Sequence, residues 1–303
     1  MDMRPLRAVF VYLIFVFMGG AILAPALHSI VQWAAGHWPA WQGLAGQRFD
    51  RFVTRSMLVL ALVGIWPFLR ALGGRSAAEL GWVKPCRGEG LNFFKGFLLG
   101  FISLALAAVA LMARGAASQS GAADIGRHLL NAGVSAIVVA VLEETLFRGG
   151  IMGGLRRVYG VWPALVMSSA IYAAVHFFGR AAATVDVHWY SGFVVFGQML
   201  SGFTDLRALF PKFICLILAG GMLGWVYVLT GSLYAPVGLH AGWIFWLKSY
   251  RHFFGGTAGG GDWFWGSREL VDGVMAVILL AACLPIIPYL FSVSSQTKEQ
   301  KTC

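Results

Sequence analysis

Long stretches without Lys, Arg, Asp or Glu alternate with short polar breaks along the chain. The first, 8–47, is uncharged, and about 8–33 suffices for one membrane-crossing helix, since the hydrocarbon core takes roughly 20 residues. Arg4 and Arg7 before it and Ala24-Pro25-Ala26 near its end imitate a signal peptide, but the run is long for a signal core. Residues 52–69 form a weaker span, interrupted by Arg55, which has to snorkel or pair. The stretch 96–113 is clean between Lys95 and Arg114, and 128–158 reads as one long helix holding Glu143, Glu144 and Arg148. A turn at Tyr159-Gly160 leads into 161–178. The uncharged run 213–247 is long enough for two spans, broken at Gly231-Ser232 and Pro236. The last span is 273–293, bent by Pro285 and Pro288.

This pattern predicts an all-α polytopic membrane protein of about eight transmembrane helices, with any site inside the bundle. It divides into N-terminal helices with a cytoplasmic loop (1–127), a central block (128–250), and a Gly/aromatic loop, last span and polar tail (251–303). The polar stretch 179–208 holds one apolar piece, Tyr190–Phe203, expected to be a re-entrant or interfacial helix. Trp263, Phe264 and Trp265 read as an interface belt. The Lys/Arg cluster from Arg70 to Lys95 and the pair Arg156-Arg157 favour both termini inside.

Composition removes other classes. Apolar residues make up 58% of the chain and charged ones 12%, far from the balance of a soluble domain. The net charge of +10 then marks cytoplasmic loops and anionic headgroups rather than a nucleic-acid partner. Cys215 and Cys283 fall inside apolar runs, where thiols behave as small buried hydrophobes.

Acids inside membrane spans need a partner or a function, because a carboxylate at the bilayer centre costs about 2.5–3.5 kcal/mol on insertion scales. Here two stand side by side in Glu143-Glu144-Thr145-Leu146-Phe147-Arg148. On a helix Glu144 and Arg148 are i and i+4 and pair on one face, whereas Glu143 points about 100° away and must look to another helix. Glu143 precedes Tyr159 by as many residues as His176 follows Gly160, so a tight antiparallel turn brings both to one depth. A third group, His240, lies in Gly238-Leu239-His240-Ala241-Gly242-Trp243, closer to its own turn and shallower than that pair. A desolvated Glu can serve as a general base near neutral pH. Against this stand the plainer readings of histidines hydrogen-bonded in a core, of an internal ion-pair network, or of a coupling site in a proton-coupled transporter. Gly149, Gly150, Gly153 and Gly154, and Gly220 with Gly224, have the spacing of close helix packing. Asp186 and His188 read as a solvated loop pair.

Glu-Glu-x-x-x-Arg, then an aromatic-x-x-x-His (Tyr172, His176), then His240-Ala241 opening a third helix, resembles the CAAX-protease and bacteriocin-processing (Abi) family of intramembrane proteases, over about 128–250. Gly231-Ser232-Leu233-Tyr234-Ala235-Pro236 adds to the likeness. Tyr172 stands where the family usually has Phe, and Ile244 where it typically carries Asn or Asp. The resemblance implies a membrane endopeptidase of the glutamic type with catalytic Glu143, His176 and His240. Glu143 with His176 would activate water and His240 would stabilise the oxyanion. Glu144, Arg148, Tyr172 and Trp243 would support the site, the indole N–H of Trp243 being one replacement for the donor missing at Ile244. No cofactor is expected on this reading; the alternative is a zinc site built from Glu143, His176 and His240. The expected partner is a membrane-embedded or lipid-modified peptide within the bilayer, and the expected location a bacterial inner (cytoplasmic) membrane. A non-catalytic peptide-binding or immunity protein, and a transporter, stay as alternatives from other classes.

Overall fold

The computed structural model describes residues 3–113, 118–119, 124–178, 186–203, 206–255, 263–267 and 269–292. In chain order its main helices are α1 (Arg4–His37), α2 (Phe49–Ala71), α3 (Arg87–Ala113), α4 (Ile125–Tyr159), α5 (Val161–Val175), α6 (Ser191–Met199), α7 (Leu206–Thr230), α8 (Tyr234–Phe253), α9 (Val274–Cys283) and α10 (Ile286–Phe291). A short antiparallel pairing joins Ser118–Gln119 to Phe254–Gly255.

The all-α polytopic expectation holds. Among the described residues six helices are long and apolar enough to cross a membrane: α1, α2, α3, α4, the Phe210–Thr230 part of α7, and Val274–Phe291 taken as one. Of the other expected spans, α5 is only 15 residues long. The remaining one, α8, falls outside the six, and its last turns carry Lys248, Arg251 and His252. The turns lie where the sequence places them. Gly160 and Gly231 both adopt positive φ, 82° and 66°, a region glycine enters without a Cβ clash. The last span breaks at Leu284-Pro285, where a proline cannot extend the helix that precedes it. The Gly-rich residues 256–262 and the tail 293–303 lie outside the described residues.

The chain packs as two units. One comprises residues 3–73 and 176–203. Within it α1 and α2 are held by the Tyr12 hydroxyl donating to the Ala61 carbonyl at 2.8 Å and by the Tyr12 ring stacked on Phe68 at 4.1 Å. Pro25 lies inside α1 and has no N–H to offer the carbonyl four residues back, that of Ala21. Gly192 of α6 packs on that oxygen so closely that a Cβ would come within 1.9 Å of it. Arg55 of α2 is exposed, so it needs no buried partner. Trp33, Trp38 and Trp41, at and beyond the C-terminal end of α1, are exposed too, as in an interfacial belt.

The second unit, residues 74–175 and 206–292, contains α3, α4, α5 and α7 to α10. Its core gathers Leu99, Leu104, Met222, Leu223, Leu239 and Trp243 with the buried thiols Cys215 and Cys283. Helices α3 and α8 meet backbone to backbone through four glycines. A Cβ on Gly96 would sit 2.2 Å from the Ala235 carbonyl oxygen, and one on Gly100 2.1 Å from that of Leu239. In return, a Cβ on Gly238 would sit 2.0 Å from the Phe93 oxygen and one on Gly242 2.5 Å from that of Phe97. Where lipid leaves no hydrophobic drive between helices, contact this close is what dispersion and Cα–H···O attraction require. Gly220 and Gly224 of α7 serve the same end, against Ser169 and Leu165 of α5.

One feature of α4 has no counterpart in the sequence pattern. From Thr145 to Met152 the helix is π-helical, closed by the Gly153 N–H bonding the Arg148 carbonyl five residues back. Such wide turns are rare and concentrate at functional sites. This one begins at the residue after Glu144.

Candidate active site

Glu144, the last α-helical residue before the wide turns, is fully buried. Its Oε1 accepts from Arg148 Nη1 at 2.9 Å, the expected i,i+4 pair, and from His240 Nδ1 at 2.8 Å. Arg148 is also buried. Its second nitrogen, Nη2, donates to the Gly220 carbonyl at 3.1 Å, and its guanidinium lies 4.8 Å from the Tyr172 ring centre and 5.8 Å from that of Phe147. Removing a buried ion pair from water is costly, and helices α5, α7 and α8 all contribute partners to this one, while Glu144 Oε2 is buried without a hydrogen bond among the described residues.

Glu143 is the more open carboxylate, its side chain 28% exposed. Its Oε2 lies 3.8 Å from His240 Nε2. The two adjacent acids therefore address opposite nitrogens of one imidazole. A carboxylate only accepts, so the nitrogen facing Glu144, Nδ1, carries hydrogen. Two carboxylates and one guanidinium leave the group one negative charge in excess. A hydrogen on Nε2 as well as Nδ1 would balance that charge.

Tyr172 is buried on α5, its hydroxyl 3.5 Å from His240 Nε2. Tyr172, His240 and Trp243 line a cavity of about 50 Å3 whose other walls include Leu104, Cys215 and Leu280. The indole N–H of Trp243 is committed elsewhere, donating to Ser103 Oγ on α3 at 2.9 Å, with Ser103 in turn bonding the Gly100 carbonyl. This corrects the expectation that Trp243 replaces the donor missing at Ile244. Ser103 carries no distinguishing signal beyond being a hydroxyl in an apolar run. Trp82 was equally silent: its indole donates to Thr145 Oγ1 at 3.0 Å and pins the 74–86 loop to the start of the π turns.

The second unit thus brings together Glu143, Glu144, Arg148, Tyr172, His240 and Trp243. His240, shallower than Glu143 when counted from its own turn, nevertheless reaches both carboxylates. His176 is the first residue beyond the end of α5, half-buried in a turn, and is grouped with the first unit. Asp186 and His188 are exposed, and the region shapes the start of α6: Ser191 Oγ accepts the His188 N–H at 2.8 Å. As to zinc, Glu143 and His240 stand close to the spacing of two ligands of one ion, but among the described residues no group of three His, Cys, Asp or Glu is arranged to hold a metal.

Fold and site together define a polytopic α-helical membrane protein with a buried Glu–Arg–His cluster in its interior. Residues 126–246 match the family model of the Rce1-like type II CAAX prenyl endopeptidases. Over those residues, about two fifths of the chain, the protein is similar to the CAAX-protease family. No curated protein and no solved structure matches the chain.

Proposed function

We propose that the protein is an intramembrane endopeptidase of the glutamic type, hydrolysing a peptide bond in a membrane-embedded or lipid-modified substrate in a bacterial inner membrane. One observation carries this reading: Glu143 and Glu144 flank the two nitrogens of His240, the first partly open and the second closed off with Arg148. Glu144, itself paired with Arg148, holds the imidazole by Nδ1. That leaves Glu143 and Nε2 for chemistry.

Glu143 removes a proton from water as the water oxygen bonds to the peptide carbonyl carbon. The carbonyl π pair moves onto its oxygen, which takes a hydrogen bond from His240 Nε2–H. The pair then returns, the C–N bond breaks, and the proton held by Glu143 goes to the leaving nitrogen. His176 enters as the partner of Glu143 in activating water, a role the motif resemblance implies.

The test compares peptide termini in membranes containing the native protein or Glu143→Ala at equal expression. New termini that vanish with the variant are expected, with the rate down about 10²–10⁴-fold, the usual worth of a general base. Identical termini in both would sink the catalytic role and leave a peptide-binding protein as the better reading.

A further inference from the structure

We infer that Tyr172 is a catalytic residue, its phenolic O–H acting with His240 Nε2–H as the second donor to the carbonyl oxygen. The inference rests on the reading of Glu143 as base and goes beyond it. Four of the side chains lining the cavity carry a polar hydrogen: Tyr172, Cys215, His240 and Trp243. The indole of Trp243 is spent on Ser103, and a thiol is a weak donor. The Tyr172 hydroxyl lies 3.5 Å from His240 Nε2. An oxygen about 2.8 Å from both, the distance an oxyanion donor needs, sees them roughly 77° apart, within the spread that two donors to one oxygen adopt.

The hydroxyl is also held where it is needed. The Tyr172 ring lies over the Arg148 guanidinium and meets Phe147 edge to face at 5.1 Å, so its direction is set by the same ion pair that orients His240. The phenol transfers no proton. It shares its hydrogen with the oxygen while that oxygen carries the negative charge, and keeps it when the charge returns to the carbonyl.

Tyr172→Phe keeps the ring and removes only the hydroxyl. The test uses a synthetic copy of the membrane peptide whose new terminus the native protein generates fastest, in detergent micelles. The expected result is a fall in kcat of about 10²–10³-fold with KM and thermal unfolding unchanged. Native turnover by Tyr172→Phe while Glu143→Ala is dead would overturn the role of Tyr172 and leave the protease reading intact. Native turnover by Glu143→Ala would overturn both. If the phenylalanine variant fails to fold, a difluorotyrosine at 172 preserves the shape and acidifies the phenol. A changed kcat is then expected, because the strength of the donor has changed; native kcat in that variant would overturn the inference.

Discussion

Glu144 and His240 are 96 positions apart in the chain and 2.8 Å apart in space, the carboxylate of one helix holding the imidazole of another. That contact turns an i,i+4 ion pair, ordinary in sequence, into the support of a site. It also divides two neighbouring acids by task. Glu144 has no exposure and its Oε1 serves Arg148 and His240, while Glu143, one residue earlier, keeps an edge open.

The pair sets up a stability experiment. Glu144→Gln leaves the Arg148 guanidinium buried without its counter-charge and is expected to lower unfolding free energy by about 3–5 kcal/mol in detergent. Adding Arg148→Met removes the stranded charge, so the double variant should recover most of that loss. It should still fail to process substrate, since the imidazole has lost its counter-charge. Recovery of activity along with stability would show that Glu144 serves the fold alone.

The glycines shared by α3 and α8 give a second test. Gly238→Ala forces a methyl onto the Phe93 carbonyl oxygen and should cost about 1–3 kcal/mol, while pulling His240, two residues on, away from the acids. Gly90→Ala on α3 meets nothing within 4 Å and should be neutral or stabilise by up to about 1 kcal/mol. Equal effects from the two would mean that the helices are not in backbone contact. Denaturant unfolding and terminus formation, measured side by side, read both.

Metal dependence is settled by removal. On the glutamic reading, exhaustive chelation leaves the rate of terminus formation unchanged. Stoichiometric zinc in the purified protein, with activity lost to chelator and restored by the ion, would instead make Glu143, His176 and His240 ligands.

Much of the fold was legible because lipid imposes a coarse code. Uncharged stretches, the turn glycines at 160 and 231, and the break at Pro285 all reappear where the pattern set them. Chemistry was legible for a related reason: Glu143, Glu144, Arg148 and His240 are conspicuous among apolar neighbours. What stayed hidden depends on three-dimensional neighbours or on hydrogen-bond phase. Periodicity assumes α-helical spacing and so cannot announce the π turns at Thr145–Met152. The depth estimate for His240 counted residues from its turn and took no account of where α8 stands beside α4. Trp243 carried an N–H in the right motif, but nothing in the sequence said that Ser103, 140 positions earlier, already holds it.

The glycine contact between α3 and α8 has a mechanical consequence. Side-chain-mediated interfaces have slack, since rotamers and methyl groups can shift to absorb a change in helix tilt. Where carbonyl oxygens bear directly on α-carbons there is no compliant layer, so α3 and α8 behave as one stiff member from Gly96–Gly100 to Gly238–Gly242. Changes in bilayer thickness must then be taken up by other helices, and the histidine mounted on that member keeps its place while they adjust.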